Sequence, residues 1–168
     1  MNRFRSRFLV RAAVGGVLAC SAGAAPAADI VRHPLDGNFP IARVVEVPAG
    51  KTIYFHSGTT PAPLDPKAAP GSPEYWGDTK TQALSVFGRL KESLDKLGLT
   101  FKDTVAMTVY LVGDPAKGGR MDFEGFMAAY TQYFGTKEQP NLPARSTVQV
   151  AGLVAPGMLV EIEVQLVK

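Results

Sequence analysis

The sequence has almost no cysteine and very little histidine, with one Cys and two His in 168 residues. The single cysteine, Cys20, lies near the amino terminus, so the rest of the chain has no disulfide, no thiol nucleophile and no Cys ligand for a metal. The sequence also lacks a His-Glu-x-x-His pair, an acidic calcium loop, a phosphate loop and a dinucleotide fingerprint. We therefore expect no metal and no cofactor.

An excess of basic charge is also missing once the segment Met1–Ala27 is set aside. The whole chain has 18 Lys and Arg against 15 Asp and Glu, a net charge of +3. The segment Met1–Ala27 holds four arginines and no acid, so the remainder has 14 basic and 15 acidic residues and a net charge of −1. A basic footprint for nucleic acid is therefore absent from that remainder, which argues against a ribonuclease.

The segment Met1–Ala27 is typical of a secretory signal peptide. A basic start is followed by a short apolar stretch over 10–19 and by the small-residue cleavage site Ala25-Pro26-Ala27. The apolar stretch is too short to span a membrane as a helix. We expect cleavage after Ala27 and a periplasmic or secreted protein. Lipidation of Cys20 is a second possibility, ranked lower because Leu18 fits the lipoprotein motif poorly.

The remaining chain is long enough for one domain. Residues 28–40 contain prolines and a glycine and are predicted to be a flexible lead-in to a single domain over 41–168. Strands are predicted over 41–47 and 52–57, joined as a hairpin by a short turn. A proline-rich loop follows over 58–77, and so long a loop in a compact domain is often functional or bridges subunits.

Two amphipathic helices are predicted. The first begins with a capping box at Thr79, carries an apolar stripe at helical spacing and ends at Gly98. A β-branched strand over 104–112 follows, and the second helix is capped by Asp122 and ends at Gly135. The order ββαβαββ predicts an α+β fold in which both helices cover one face of a mixed β-sheet.

The last two predicted strands alternate with a period of two, as strands with one buried face do. In the first, Arg145 shares a face with Thr147 and Gln149, opposite two valines. In the second, Glu161 and Glu163 lie opposite an apolar set. We interpret the pair as a hairpin that presents the guanidinium and both carboxylates on one polar face. Because two helices cover only the apolar face, the polar face should become a subunit interface.

Arg145 is the leading candidate for a functional side chain, because a guanidinium grips a carboxylate with two hydrogen bonds. The alternative is a structural cross-strand ion pair between Arg145 and one of the two glutamates. Glu161 and Glu163 are held close together, so one of them is a candidate proton donor or water-orienting base. The alternative is that the two glutamates only make the sheet edge soluble. Ser57-Gly58 offers a hydroxyl and a close backbone approach. Since adjacent side chains of a strand point to opposite faces, His56 and Ser57 are not expected to form a dyad.

At this point the chain from about Ile41 to Lys168 resembles the reactive intermediate deaminase family, known as Rid or YjgF and formerly as endoribonuclease L-PSP. The resemblance implies a chorismate-mutase-like fold, a homotrimer with three clefts between subunits, and no cofactor. It implies hydrolysis of short-lived enamines and imines to a 2-keto acid and ammonia. The segments that carry it are Ile53 to Gly58, the helix from Thr79, Asp103-Thr104-Val105, Phe123 to Phe134, Pro143-Ala144-Arg145-Ser146 and Val160 to Val164.

The same resemblance assigns roles to individual residues. Arg145 is expected to bind the substrate carboxylate, and Glu161 to lie near the water or the proton that moves. Ser57, Gly58 and Thr147 are expected to line the substrate site.

Several positions depart from the family's usual residues. Thr59 stands where a glutamine often follows the Ser-Gly, Met127 where the second helix usually has an asparagine, and Thr147 where a cysteine is common. The aromatic residue near the first strand is replaced by Ile41 or Ala42. These changes are compatible with a different substrate or with loss of the enzymatic role. The leading hypothesis is an exported imine deaminase, the second a non-catalytic module that binds small carboxylates, and the third, a ribonuclease, is unlikely.

Overall fold

A computed structural model describes residues 28–168 of the chain. The predicted signal peptide and its cleavage site, with Cys20, lie outside the described residues. The architecture is α+β, as the sequence predicts: one mixed β-sheet carries helices on a single face. No helix within residues 28–168 combines the length and apolarity needed to cross a membrane.

The sheet has six strands in the order β1-β2-β5-β4-β6-β3. The β4 strand pairs parallel with β5 and antiparallel with β6, which makes the sheet mixed. The strands are β1 (Val31–Pro34), β2 (Ala42–Glu46), β3 (Ile53–Thr59), β4 (Thr104–Val112), β5 (Ala144–Val150) and β6 (Val160–Val167). The helices are α1 (Pro73–Trp76), α2 (Thr79–Lys96) and α3 (Phe123–Tyr130), with short 3-10 turns at Phe101–Asp103 and Pro115–Lys117.

The core lies between the sheet and the two longer helices. Every other residue of β4 is buried against them, including Val109 and Leu111, which have no exposed surface. The apolar stripe of α2 faces them, with Phe87 in contact with the aromatic rings of α3. Both predicted helices are confirmed. The first is capped by Asp78 rather than by Thr79, and the second ends its regular part at Tyr130, before the predicted stop.

Both predicted hairpins are wrong. The second and third strands lie at different places in the sheet, because β2 pairs with β1 and β5 whereas β3 pairs with β6. The last two strands are not neighbours either, since β4 lies between β5 and β6. Short connections suggested direct pairing, but the buried β4 strand offers hydrogen bonds on both edges and separates β5 from β6.

The segment 28–40, predicted to be a flexible lead-in, contains a strand. Residues Val31–Pro34 pair antiparallel with β2 and form the edge of the sheet. The Arg32 guanidinium donates to the carbonyls of Lys102 and Thr104, both at 3.1 Å. Further along, the Tyr130 hydroxyl donates to the Pro40 carbonyl at 2.8 Å. These bonds hold the segment against the domain.

Gln82 ties the start of α2 to the start of β6. Its side chain is fully buried. The amide nitrogen donates to the carbonyls of Gly77 and Gly157, each at 3.0 Å, and the amide oxygen accepts the Leu159 backbone N–H at 2.7 Å. The nearby Trp76 indole donates to the Pro156 carbonyl at 2.8 Å, so the end of the proline-rich loop is anchored to the same connection.

Replacing Asp78 should weaken the start of α2 in a pH-dependent way. The Asp78 carboxylate accepts the Thr81 N–H at 2.8 Å, and this bond lowers the pKa of the carboxyl. A depressed pKa means that the ionic contribution is present above the unfolded-state pKa and is lost as the pH falls through the folded-state pKa. We expect Asp78→Ala to lower the free energy of unfolding by about 1 kcal/mol at pH 7.

Urea denaturation of wild type, Asp78→Ala and Asp78→Asn at pH 7 and at pH 3 measures this. Asparagine caps a helix nearly as well as aspartate, so Asp78→Asn should stay close to wild type at pH 7. The difference between wild type and Asp78→Ala should shrink at pH 3. A difference that grew on acidification would contradict the assignment.

Candidate active site

The helix-covered face of the sheet holds Arg145. In the parallel pairing of β4 and β5, Arg145 lies opposite Met107 and Thr147 opposite Val109. Both β4 partners belong to the buried core. Paired residues of neighbouring strands point to the same side of a sheet. Arg145 and Thr147 therefore point toward the helices.

The opposite, uncovered face holds Glu161 and Glu163. In the antiparallel pairing of β4 and β6, they lie opposite Tyr110 and Thr108, while Ile162 between them is fully buried in the core. The two carboxylates therefore point away from the helices. The predicted single polar face with Arg145 beside both glutamates is wrong, and so is the alternative of a cross-strand ion pair.

The error comes from β5, because its alternating polar residues face the helices and its valines face the open side, the reverse of the prediction. Arg145, Thr147 and Gln149 face the helix side, whereas Val148 is on the open side with 42% of its surface exposed. The polar set can face inward because it finds partners there. Gln149, for example, accepts the Met121 N–H at 2.9 Å and donates to the Gly119 carbonyl at 3.0 Å.

Arg145 is enclosed by aromatic rings. Its guanidinium carbon lies 4.3 Å from the ring centroid of Tyr130 and 5.2 Å from that of Phe126. The rings of Phe39 and Phe123 follow at 5.5 Å and 5.9 Å. Cation–π contact with each ring contributes about 0.5–2 kcal/mol, depending on desolvation. Burial among the rings lowers the pKa of Arg145, and burial likewise raises the pKa of the Tyr130 hydroxyl.

The hydrogen-bonding capacity of Arg145 is largely unused. Its Nη2 donates to the thioether sulfur of Met127 at 3.2 Å, a weak acceptor. Within residues 28–168, Nη1 is shielded from solvent and has no hydrogen-bond partner, and the same holds for the Thr147 hydroxyl. Leaving a buried polar group unpaired is unfavourable by about 1–3 kcal/mol, and more for a charge. Two such groups lie two residues apart on one strand face, which makes this the candidate position for a bound oxyanion.

On the open face, Glu161 packs against the Ser57-Gly58 segment. The register between β3 and β6 shifts between His56 and Thr59, so the Ser-Gly pair lies at an irregularity of the strand. A Cβ atom built on Gly58 would lie 1.9 Å from Oε1 of Glu161. Only a residue without a side chain leaves room for the carboxylate, so Gly58 and Glu161 act as one unit. Gly58 and Glu161 are thus adjacent within a single chain.

Glu163 differs from Glu161 in its surroundings. The Tyr110 hydroxyl donates to Glu163 Oε2 at 3.0 Å, and this bond raises the pKa of Tyr110. Glu163 also lines a pocket of about 250 Å³ on the open face, together with Ser57 and Thr108. The two carboxylates are therefore distinguished, since Tyr110 engages Glu163 while Glu161 lies against Gly58.

His56 does not face Ser57. Its Nε2 lies 2.8 Å from the Ser93 hydroxyl of α2, on the helix side, and its Nδ1 lies 2.8 Å from the Ser57 carbonyl. The expectation that His56 and Ser57 form no side-chain dyad agrees with this geometry. The hydrogen bond between His56 and Ser93 links the edge strand β3 to α2.

Sequence reasoning missed Phe39 and Tyr110. Tyr110 falls in phase with the open face of β4, and that phase was a usable signal. The resemblance predicted an aromatic residue near the first strand, but its position was taken to be Ile41 or Ala42. The aromatic ring that lies near Arg145 belongs to Phe39, just before that strand.

The fold and the site together describe a class of small α+β domains with an arginine among aromatic rings on one sheet face and, on the other, a carboxylate beside a Ser-Gly irregularity in a strand. The sequence profile of the family described as Endoribonuclease L-PSP matches residues 39–167. The chain therefore belongs to that family, which is the Rid/YjgF family that its motifs resemble.

Individual relatives agree with this assignment. A RutC family protein of Haemophilus influenzae is 34% identical over 84 residues, which is 50% of this chain and 60% of that protein. A RutC family protein of Pyrococcus horikoshii is 33% identical over 101 residues, 60% of this chain and 69% of that protein.

Solved structures show the same fold. The structure of E. coli TdcF with bound serine is 27% identical, has a TM-score of 0.54, and is matched over 79% of this chain and 91% of that one. The Rid family protein YyfB of Yersinia pestis has a TM-score of 0.57 at 24% identity, over 76% of this chain and 86% of that one.

Gly58→Ala should displace the Glu161 carboxylate with little loss of stability. The new Cβ meets the end of a flexible, partly exposed side chain, which can rotate away. We expect the free energy of unfolding to stay within about 1 kcal/mol of wild type. A crystal structure of the variant should show Glu161 in another rotamer. Gly152→Ala is the matched control, because a Cβ at Gly152 meets nothing within 4 Å. An unmoved Glu161 in Gly58→Ala would refute the coupling.

Proposed function

We propose that this protein is an exported imine/enamine deaminase, a hydrolase acting on C=N bonds of small 2-imino or 2-enamino acids derived from amino acids. The single observation that carries the proposal is the enclosed Arg145, whose Nη1 is left without a partner in the described chain beside the equally unpaired Thr147 hydroxyl. A carboxylate would satisfy both groups and neutralise the buried charge. The relative TdcF, solved with serine bound, supports a ligand of amino-acid size that carries a carboxylate.

The reaction consumes one water. The carboxylate of the 2-imino acid binds Arg145, with Thr147 as a second donor and Ser57-Gly58 lining the site. Water adds to the imine carbon while a proton moves to the nitrogen, and the tetrahedral intermediate then expels ammonia and leaves the 2-keto acid. Glu161 is placed in this scheme as the group that orients the water or carries the proton.

The site requires two copies of the chain. Arg145 points to the helix side of the sheet and Glu161 to the open side, so the sheet separates them within one chain. If both act on one substrate, the open face of one subunit supplies Glu161, Ser57 and Gly58 to the Arg145 of another. The exposed open-face residues Val148 and Phe55 support an interface there. We propose a homotrimer, whose cyclic symmetry gives three equivalent clefts.

Export is part of the proposal and rests on the sequence of the segment Met1–Ala27. The basic start, the short apolar stretch and Ala25-Pro26-Ala27 support a signal peptide cleaved after Ala27. The destination is then the periplasm or the exterior, with lipidation at Cys20 ranked second. An exported deaminase would meet imines formed outside the cytosol rather than those released inside it.

Arg145→Met should abolish activity while leaving stability unchanged or raised. Methionine removes a buried charge with unused donors and keeps an apolar side chain among the rings, a replacement that is often neutral or stabilising. Loss of two charge-assisted hydrogen bonds to the substrate should lower kcat/KM by about a hundredfold or more. Imines are generated in situ by an amino-acid oxidase, and release of ammonia and keto acid is followed. Arg120→Met, at an exposed arginine, is the control. Equal rates for wild type and Arg145→Met across a panel of imines would remove Arg145 from the reaction.

Mixing two inactive variants tests the two-copy site. Arg145→Met and Glu161→Gln are each expected to be inactive, but a mixed trimer contains clefts with both wild-type residues. Random assembly from equal amounts should restore about a quarter of the clefts, since each of the two contributing subunits has the needed residue half the time. The variants are co-expressed or unfolded and refolded together, with each variant alone as the control. No recovery in trimers shown to be mixed would place the site within one chain.

A non-catalytic carboxylate-binding module is the second candidate. The departures at Met127 and Thr147, which both lie at the Arg145 receptor, favour it because they alter the groups that contact a ligand. Calorimetry with 2-keto acids decides between the two functions. Binding without turnover of any imine supports the module, and turnover supports the deaminase. The net charge of −1 outside the segment Met1–Ala27 leaves ribonuclease activity the least favoured.

A further inference from the structure

Two polar groups beside the aromatic rings are shielded from solvent in a single chain, although Arg145 as a whole is partly exposed. Both unpaired groups, Arg145 Nη1 and the Thr147 hydroxyl, have essentially no solvent-accessible surface and no partner within residues 28–168. A carboxylate therefore cannot reach them unless a covering group moves. The question is which of the surrounding side chains can move without unpacking the core.

Phe39 is the ring best able to move. The Phe126 and Tyr130 rings belong to α3 and are fully buried. Phe39 lies in the non-helical segment between β1 and β2 and is 39% exposed. Its ring stacks on Phe123, with centroids 6.3 Å apart and planes 12° apart, and lies 5.5 Å from the guanidinium carbon of Arg145.

The backbone next to Phe39 is fixed. The Tyr130 hydroxyl donates to the carbonyl of Pro40 at 2.8 Å, and the Ile41 N–H donates to the Phe39 carbonyl at 2.8 Å. Movement is therefore confined to rotation of the Phe39 side chain. Such rotation breaks one stacking contact and one cation–π contact and leaves the core intact.

We propose that the Phe39 ring is a gate over Arg145: it swings out to admit a carboxylate, and the ligand's own apolar substituent takes its place against Phe123 and the guanidinium. This inference rests on the proposed function, in that the ligand is taken to be a carboxylate bound by Arg145. The space left by the ring is bounded by an aromatic face and a cation, which a phenyl or branched apolar substituent fills and a methyl group does not. The site therefore prefers 2-imino and 2-keto acids with a large apolar substituent.

The gate is tested by arginine modification of the full protein with 2,3-butanedione, a small reagent that reacts with accessible guanidinium groups. Modification of Arg145 is followed by peptide mass spectrometry, with the exposed Arg120 as an internal reference. Phe39→Ala should accelerate modification of Arg145 by about three- to tenfold, the size of one cation–π contact, and leave Arg120 unchanged. Val154→Ala, at an 82% exposed apolar residue, is the matched control and should match wild type.

The same experiment separates the gate from the proposed function through protection by ligands. Equal rates at Arg145 in wild type and Phe39→Ala overturn the gate, even if pyruvate or phenylpyruvate protects Arg145. Acceleration without protection by either acid supports the gate and overturns the carboxylate site. If Phe39→Ala fails to fold, Phe39→Leu keeps the packing on Phe123 without the ring and should give intermediate acceleration.

The ligand preference has its own readout. In wild type, phenylpyruvate should protect Arg145 at a concentration about tenfold lower than pyruvate, because its ring buries additional apolar surface. Equal or reversed potency overturns the preference for a large apolar substituent.

Discussion

The position of β4 between β5 and β6 is the constraint on which the rest of the structure depends. The β4 strand is buried on its helix side, and its two edges fix the register of the strands that carry Arg145 and Glu161. Because side chains of a strand alternate between the faces of a sheet, these registers decide which groups can meet. The Arg145 side chain points to the helix side of the sheet and the Glu161 side chain to the open face. Within one chain the sheet therefore separates these two side chains, which is why the proposed function calls for a second copy.

The surroundings of Arg145 and of Glu161 differ in their electrostatics. Around Arg145 the surroundings are aromatic and the side chain is partly shielded from solvent, which strengthens its attraction for an oxyanion relative to a fully exposed arginine. Around Glu161 the surface is polar and partly exposed, with Tyr110 and Glu163 nearby. Under the proposed function, the group that binds the substrate carboxylate and the group that moves the proton would lie in two different environments. The buried Nη1 of Arg145, which has no hydrogen-bond partner within residues 28–168, is unfavourable for stability.

The elements with strong local signals could be predicted from the sequence. The amphipathic stripe of α2, the strand over 104–112 and the Asp122 cap all depend on neighbours within a few residues. Strand pairing could not be predicted in this way, because short loops favoured hairpins that the central β4 strand excludes. The prediction of which face of β5 is buried was wrong for a related reason. Gln149 bonds to the backbone of the 119–121 loop and Arg145 contacts the rings of α3, and these partners are all distant in sequence. The candidate residues were identified by type and motif, but their distribution over two faces followed only from the fold.

Gln82 illustrates how little is needed to fix such a geometry. Its side-chain amide donates to Gly157 and accepts from Leu159, so it bonds to the chain just before β6 as one peptide unit of a neighbouring strand would. A slip of one residue in β6 would bury Glu161 in the core and expose Ile162 on the open face. The side-chain amide of Gln82, a residue of α2, thus helps to fix the register of β6, the strand that carries Glu161. The side of the sheet on which Glu161 lies is set by the register of β6, and that register is also stabilised from α2.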